Sequence, residues 1–442
     1  MTRSIVVVGG GLAGITAALA CADAGCEVTL VERRARLGGL TWSSRRNGLW
    51  FDNGQHVFMR CCTEYRGLLA RLGVPDLVEL QDRMTVPVLS PGGGRAVIRR
   101  SGLPAPAHLA RALLGYGHLP VRDRLSLGTA VRALMHVDPD DPVSDTQTFA
   151  EWLRAHRQGE RAISALWDLI TLPTVNLPAR EASLALAARV FRTGLLEDNA
   201  GGDIGWSRVP LQQLHGDAAA AALAGAGVEV ALSTPVSRIE GTTVETERRT
   251  FDADAVIAAV PHDAAATILP PGVLEAPAAL GASAIVNVHL VLDRRVMGDA
   301  MAAVVGSPLQ FVFDRTASSG ATDGQCLAVS LSAADAYLGW RASALVRLMV
   351  DALGELFPAA RRATVRDAWV VREPRATFRG APGTARLRPP PTTSVPGLFI
   401  AGAWGATGWP ATMEGAVRSG RAAAHAALSV RQQARVTSGG TQ

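Results

Sequence analysis

The first 34 residues contain the pattern that most narrows the fold of this chain. "SIVVVGGGLAGITAALACADAGCEVTLVERR" reads as an apolar β-branched strand, a glycine turn, an alanine-rich helix ending near Gly25, and a second strand from Glu27 to Glu32. Uninterrupted apolar strands of this kind are typical of a parallel sheet that helices cover on both faces. The sequence therefore predicts a βαβ unit of a doubly wound α/β fold.

The turn of this unit carries a dinucleotide-binding pattern. Gly9, Gly11 and Gly14 form G-x-G-x-x-G, in which glycines allow a tight turn and a close approach of the backbone to a pyrophosphate. Glu32 ends the second strand, where a carboxylate can accept hydrogen bonds from ribose hydroxyls and disfavours a 2′-phosphate, hence NADP. The alternative is a tight helix–strand turn with an incidental surface glutamate.

Sequence beyond this unit favours FAD over NAD. "ERRARLGGLTWS" begins at Glu32, and Gly38 and Gly39 let the backbone pass close to another part of an extended cofactor. Near the other end of the chain, "GLFIAGAW" predicts a buried strand that leads to Gly402, and "ATMEGAVRSG" starts a helix whose N-terminal dipole would face the flavin ring or ribitol. Both ends of the chain would thus hold one elongated dinucleotide.

A length of 442 residues favours two domains over one. We predict a doubly wound Rossmann-type FAD-binding domain interleaved with a mixed α+β substrate domain. "SDTQTFAEWLRAHR" predicts a helix capped by Asp145 or Thr146 in the mainly helical part of the substrate domain. The predicted parts are 1–73, 201–263 and 391–430 for FAD, 74–200 (mainly helical) and 264–390 (mixed sheet) for the substrate, and 431–442 as a flexible tail.

Charge, cysteine usage and hydropathy exclude several function classes. The arginines are scattered, no lysine occurs, and a net charge of +5 therefore indicates no nucleic-acid partner. Five cysteines without paired spacing argue against a disulfide framework or a structural metal, and favour a reducing cytoplasm. We find neither a signal peptide nor an apolar run of about 20 residues, the length that spans a bilayer, so that any membrane contact would be peripheral.

Several stretches together resemble the FAD-dependent amine oxidase and phytoene desaturase superfamily from end to end. They are "VVVGGGLAG" with Glu32, "RLGG", "TPVSRIEG", "AVIAAVP" and "GLFIAGAW" with "EGAVRSGRAA". Within it, "FDNGQHVFMRCCTEYRGLLARLG", "TVNLPAREAS" and "TGWPATMEGAVRSGRAAA" resemble the squalene-associated branch, the hydroxysqualene dehydroxylases.

The resemblance implies which residues hold FAD. Those expected at the pyrophosphate, the ADP ribose and, through its backbone, the adenine are Gly9, Gly11, Gly14, Glu32 and Val236. Those expected along the rest of the cofactor are Arg36, Gly38, Gly39, Gly402, Met413, Glu414 and Ala416. The superfamily usually has an aspartate after the glycine of the C-terminal strand, whereas this chain has Ala403, so that one hydrogen bond to the ribitol or phosphates is missing.

The segment "DNGQH" is predicted to line the flavin cavity, because the superfamily runs a strand against the cofactor there. His56 is the candidate catalytic acid, since an imidazole that titrates near neutral pH can protonate a departing oxygen. Asp52 is the second catalytic candidate. The alternative for His56 is a structural histidine hydrogen-bonded in the wall. Glu414 is another possible acid, although helix capping explains it as well.

The resemblance implies reduction of hydroxysqualene to squalene with loss of water, which needs a lipophilic isoprenoid substrate and an external electron donor for FAD. A carotenoid-type polyene desaturase or isomerase is one alternative, and a non-catalytic isoprenoid-binding protein of the GDP dissociation inhibitor type is another. Many amine oxidases of the superfamily use a lysine near the flavin, and its absence disfavours amine oxidation.

One stretch is a candidate for the peripheral membrane contact. "PAHLARALLGYGHLPVRDRLSLGTAVRALM" mixes leucines with four arginines, as a helix pair that dips into an anionic interface does. The alternative is that these leucines close the core of the substrate domain.

Overall fold

The computed structural model describes residues 2–438, with side chains as far as residue 429. Within this part of the chain, one sheet has parallel strands in the spatial order Glu229–Ala231, Glu27–Val31, Ser4–Val8, Ala255–Ala258 and Leu398–Ile400. Ile5 and Val7 enter one apolar cluster while Val6 and Val8 enter another, because alternate side chains of a strand point to opposite faces. The sheet is thus buried on both faces, which confirms the doubly wound α/β prediction.

A second, larger sheet of the described chain has seven strands. Its strands, in spatial order, are Val365–Thr377, Ser283–Leu292, Gln325–Leu331, Phe311–Asp314, Met301–Val304, Thr85–Ser90 and Gly94–Arg99. All neighbours are antiparallel except Met301–Val304 and Thr85–Ser90. The hairpin Thr85–Ser90/Gly94–Arg99 lies inside the stretch that the sequence indicated as mainly helical.

Smaller antiparallel sheets connect these two. They comprise the pair Ser43–Arg46 and Leu49–Asp52, the group Val57–Met59, Ile204–Ser207 and Val78–Leu80, and the group Val236–Glu240, Thr243–Thr246 and Thr250–Asp252. Asp203 ties the second group to the hairpin, since its buried carboxylate pairs with Arg60 and Arg100 and accepts a hydrogen bond from the Met84 amide.

The α-helices of the described chain are Leu12–Asp23, Thr63–Arg71, Ala110–Leu114, Val121–Leu134, Phe149–Ala155, Glu160–Ala162, Asp168–Val175, Leu184–Phe191, Ala218–Gly225, His262–Ile268, Thr316–Ser319, Ala342–Leu356 and Met413–Ser438. None of these described helices combines the length and the hydropathy needed to cross a membrane. The last helix continues to Ser438, beyond residue 430 where the sequence suggested a tail. Residues 439–442 of that predicted tail lie outside the described residues.

One helix cap differs from the sequence prediction. The helix Phe149–Ala155 is capped by Thr148, whose hydroxyl accepts from the Glu151 amide at 3.2 Å while the Glu151 carboxylate accepts from the Thr148 amide at 2.9 Å. This reciprocal capping box satisfies two amides at once. Asp145 is instead bonded to Ser183 and to the Ala385 amide, so its carboxylate joins distant segments.

The first and the last helix of the described chain meet beside the parallel sheet. A Cβ on Gly420 would lie 2.1 Å from the carbonyl oxygen of Ala13, so the last helix crosses the first in direct backbone contact. The strand Leu398–Ile400 is separated from Ser4–Val8 by a single strand. Segments almost 400 residues apart in sequence therefore lie close together in the fold.

Gly420→Ala tests this crossing. Both Gly420 and Gly128 lie inside helices, where alanine is favoured by about 1 kcal/mol over glycine. Gly128→Ala should therefore stabilise the protein slightly, because no atom lies within 4 Å of its added methyl. Gly420→Ala should destabilise it by roughly 1–3 kcal/mol, the usual cost of overpacking. Urea unfolding of the two variants checks this, and equal stability would contradict the close crossing.

Candidate functional site

Two glycine turns lie against each other at the carboxyl edge of the parallel sheet. Gly9 has φ of +111°, and a Cβ on Gly14 would lie 1.9 Å from the Gly9 carbonyl oxygen. A Cβ on Gly39 would lie 2.8 Å from the Gly11 Cα, and the Gly38 amide donates to the Gly10 carbonyl. Only glycine fits at these contacts, so the turns form one surface of bare backbone that a dinucleotide can approach.

Glu32, which is predicted to bind the ribose, organises the first turn. Its carboxylate accepts hydrogen bonds from the amides of Gly10 at 2.7 Å and Arg34 at 2.8 Å. Each carboxylate oxygen has a further lone pair for a ribose hydroxyl. The Thr234 amide donates to the Glu32 carbonyl, which brings the strand that starts at Val236 beside the ADP-ribose position predicted for Glu32.

Arg36 supplies positive charge beside the second turn. Its guanidinium lies 4.5 Å from the centre of the Trp42 ring and donates to the Gly39 carbonyl, as Arg34 does. Burial, and then the neighbouring Arg34, lower the pKa of Arg36 to about 10. A half-buried guanidinium close to a second one favours an anionic partner such as the predicted pyrophosphate.

The C-terminal turn has its own support where the superfamily aspartate is missing. Gly402 has φ of +148°, and its amide donates to the Ser419 hydroxyl at 2.9 Å. The buried Arg388 guanidinium donates to the carbonyls of Ala403 at 3.2 Å and Trp404 at 3.3 Å. Arg388 thereby holds the backbone of this turn, a contact that the sequence alone did not indicate.

Glu414 caps a helix other than its own. Its carboxylate, 1% exposed, accepts from the amide of Tyr65 at 2.8 Å and from that of Glu64 at 3.3 Å, at the start of the helix Thr63–Arg71. Arg418 pairs with it at 2.8 Å. Its neighbours Met413 and Ala416 pack against the apolar cluster beneath the first helix. Glu414 thus joins the C-terminal helix to the segment that follows "DNGQH".

Asp52 anchors the segment Asp52–His56, which we call the His56 wall. Its carboxylate accepts from the Ser43 hydroxyl at 2.6 Å and the Leu211 amide at 2.9 Å, and it pairs with Arg315 at 3.0 Å. Arg315 also donates to the Ser207 carbonyl at 2.8 Å. This buried carboxylate is therefore occupied in joining three segments of the chain.

His56 is partly exposed, and its ring is oriented by the backbone. Nδ1 lies 3.1 Å from the Gly54 carbonyl oxygen. A carbonyl can only accept, so Nδ1 carries the hydrogen of the neutral ring and Nε2 has the lone pair. Burial lowers the pKa of His56, against the opposing influence of the Gly54 carbonyl and Asp52. From the sequence we expected His56 to titrate near neutral pH. Desolvation instead lowers the fraction of His56 that is protonated at neutral pH and makes the protonated ring a stronger acid.

Unpartnered buried atoms collect around this wall. Gln55 Nε2, Asn287 Oδ1, His215 Nδ1 and His289 Nε2 have no hydrogen-bond partner among the described residues. Buried polar atoms are nearly always bonded, so a cluster without partners fits a polar ligand. Together with the glycine turns and Arg36, these atoms fit an extended cofactor with a heteroaromatic ring.

Sequence reasoning missed Asn287, His289 and His215. The first two lie on one face of the buried strand Ser283–Leu292, whose other face enters an apolar cluster. Polar residues at alternate positions of an apolar strand were the available signal. His215 lies in the π-helical segment Gln212–Asp217, a geometry frequent at functional sites, but "LQQLHGD" carries no pattern that reveals it.

Comparisons with known proteins agree with this geometry. The family model described as flavin-containing amine oxidoreductase matches residues 12–428. A hydroxysqualene dehydroxylase of Zymomonas mobilis is 28% identical over 447 residues, which cover 96% of this chain and 98% of that relative. A 15-cis-phytoene desaturase of Synechococcus elongatus is 23% identical, with 96% of each chain covered. The cyclohexylamine oxidase of Brevibacterium oxydans has the same fold, with a TM-score of 0.73, 21% identity and 98% and 100% of the two chains covered.

Two buried histidines predict acid sensitivity. Burial, and then the charge of His56, lower the pKa of His215 to about 3; burial lowers that of His289 to about 4, against Asp52. Unfolding restores values of about 6.5, so the unfolded chain binds more protons below pH 6.5. Stability is therefore full above that pH and should fall between pH 6.5 and 4, by about 1.4 kcal/mol per pH unit for each histidine.

Urea unfolding between pH 7.5 and 4.5 measures this slope. In His289→Gln the unfolding free energy should fall less steeply below pH 6.5, by the contribution of one histidine. Any change in that free energy above pH 7 should not depend on pH. An unchanged slope in the variant would show that His289 is not buried in its neutral form.

Proposed function

The chain belongs to the family of flavin-containing amine oxidoreductases, and from this premise we propose that it reduces hydroxysqualene to squalene with release of water. The relative of that activity matches almost the full length of both chains. The observation that carries the proposal is the partly exposed His56 ring, whose Nδ1 is held at the Gly54 carbonyl, so that Nε2 is the nitrogen that can take up and release a proton.

The residues at the site fit FAD. The glycine turns and Arg36 would hold the diphosphate, Glu32 and the Val236 strand the ADP end, and the Gly402 turn the flavin end. Hydride transfer is the chemistry that a flavin supplies when bound. The chain contributes binding, exclusion of water and proton transfer.

The proposed reaction replaces a C–OH bond by a C–H bond. The carbon gains a hydride, which carries two electrons. The hydroxyl leaves with one proton as water, so each turnover consumes one hydride and one proton. An external reductant supplies those electrons. His56 would hold the proton at Nε2 and release it to the departing oxygen. Asp52 would act through position, because it fixes the segments on either side of His56.

A polyene desaturase is the main competing function, because it would remove hydride from its substrate instead of delivering hydride to it. A desaturase of this kind is 23% identical to the chain. The binding-protein alternative has lost its support, because the family is one of flavin oxidoreductases. Amine oxidation through a lysine is disfavoured, because the sequence contains none.

An anaerobic single turnover tests the proposal. Chemically reduced protein mixed with hydroxysqualene should yield one squalene per flavin while the flavin becomes oxidised. Absence of squalene, combined with reduction of the oxidised flavin by a carotenoid-type polyene, would overturn the proposal in favour of the desaturase.

His56→Gln tests the proton donor. Loss of a positioned general acid should slow turnover by about 10²–10⁴-fold, with flavin content unchanged. In the unmodified protein the rate should fall as pH rises above the lowered pKa of His56, because only protonated His56 can donate. His425→Gln on the exposed face of the last helix is the control. A wild-type rate and pH profile in His56→Gln would assign His56 to the wall alone.

We also propose that the protein reaches its substrate at a lipid surface. Leu114, Val121 and Leu125 are 54–67% exposed on the helices Ala110–Leu114 and Val121–Leu134. Arg124 donates to the Leu114 carbonyl, which holds the two helices together, and Arg122 is exposed beside Val121. Exposed apolar side chains bordered by arginines favour an anionic membrane interface.

Leu125→Asp tests the membrane contact. The substitution removes roughly 1.5–3 kcal/mol of apolar burial and adds a charge repelled by anionic lipid, so binding to phosphatidylglycerol vesicles should weaken at least tenfold. Val143→Asp, at a 64% exposed position on another turn, is the matched control. Vesicle sedimentation measures both variants, and equal binding would place the contact elsewhere.

A further inference from the structure

Tyr65 and His215 form a buried pair that the proposed reaction does not use. The Tyr65 hydroxyl lies 2.8 Å from His215 Nε2, and the two side chains are 1% and 0% exposed. The other ring nitrogen, His215 Nδ1, is buried and has no partner among the described residues. One end of this pair is therefore satisfied and the other is not.

The segment that carries this pair lies beside the predicted cofactor site. A Cβ on Gly38 would lie 3.7 Å from the Gly216 amide nitrogen, which places the residue after His215 against the second glycine turn. His56 is close enough that its charge acts on His215. His215 is therefore near both the Gly38–Gly39 turn and His56.

Hydrogen-bond chemistry decides which nitrogen carries the hydrogen. Burial raises the pKa of the Tyr65 hydroxyl, which keeps its proton. No acceptor other than His215 Nε2 is bonded to that hydroxyl in the described chain, so the hydroxyl donates to Nε2. A neutral imidazole that accepts at one nitrogen carries its hydrogen on the other. His215 Nδ1–H is then a buried donor.

Segments from three parts of the chain fix this pair. The Glu414 carboxylate accepts from the Tyr65 amide, and the Phe58 ring packs edge-on against the Tyr65 ring. The segment that carries His215 is anchored where the amides of Leu211 and Gln212 donate to Asp52 and Ser43. A donor held this firmly costs little reorganisation when it binds a ligand.

We propose that Tyr65 sets the Nδ1–H tautomer of His215 and that this N–H donates to the isoalloxazine of the flavin. The inference rests on the flavin assignment and not on the identity of the substrate. His215 acts as a donor without charge, which avoids repulsion when the adjacent His56 takes up its proton. Tyr65 is a positioning residue that acts through His215.

Tyr65→Phe removes one oxygen atom and leaves the ring. Without the hydroxyl, His215 Nε2 loses its partner, and the Nδ1–H tautomer is no longer enforced. A donor to the isoalloxazine favours the electron-rich reduced flavin, so the variant should bind reduced flavin relatively more weakly, by about tenfold, which equals about 30 mV for a two-electron couple. Tyr116→Phe is the matched control, because that buried hydroxyl donates to the Ala165 carbonyl in the helical region.

The readouts are the flavin reduction potential, the flavin absorption spectrum, and ¹⁵N NMR of labelled histidine. We expect a lower potential and an altered spectrum in Tyr65→Phe alone, and a neutral Nδ1–H signal of wild-type His215 that shifts when the flavin is reduced. A potential equal to that of Tyr116→Phe would overturn the proposal. If Tyr65→Phe does not fold, a wild-type His215 signal that ignores the flavin's redox state would overturn it. Failure of the squalene assay would leave these readouts unaffected.

Discussion

The rest of this structure depends on backbone segments that touch with no side chain between them, at the carboxyl edge of the parallel sheet. Gly14 touches Gly9, Gly39 touches Gly11, and Gly420 touches Ala13, each at a distance that leaves no room for a Cβ. These contacts bring the first turn, the second turn and the last helix to one place. Everything assigned to the cofactor follows from this convergence, because a long dinucleotide can only be held by segments that meet.

Desolvation gives the histidines different roles from the ones that the ordinary pKa of histidine suggests. Burial lowers the pKa of His56, His215 and His289, so all three are neutral at pH 7. Of the three, His56 is partly exposed, whereas His215 and His289 are buried. A neutral donor at His215 and a proton carrier at His56 can therefore lie side by side without mutual repulsion, which suits a site that must protonate a leaving group beside a flavin.

The sequence reveals local patterns of the candidate site but not the contacts between distant segments. Gly9, Gly14 and Glu32 follow from a short pattern whose geometry depends on neighbouring residues. Glu414 is predicted to lie near the cofactor, and its capping of the helix Thr63–Arg71, a contact between residues 349 positions apart, could not be predicted from the sequence. Arg388 and His215 act through tertiary contacts that no spacing reveals. The hairpin at Thr85–Arg99 was not predicted, because its exposed strand contains glycine and two arginines instead of a run of β-branched residues.

A crystal structure of the protein with its flavin bound would show directly whether the glycine contacts enclose the cofactor. We expect the diphosphate on the Gly9–Gly14 turn beside Arg36, and the isoalloxazine between the Gly38–Gly39 turn and His56, within hydrogen-bond distance of His215 Nδ1. An isoalloxazine outside this space, with His56 and His215 both facing protein alone, would contradict this assignment.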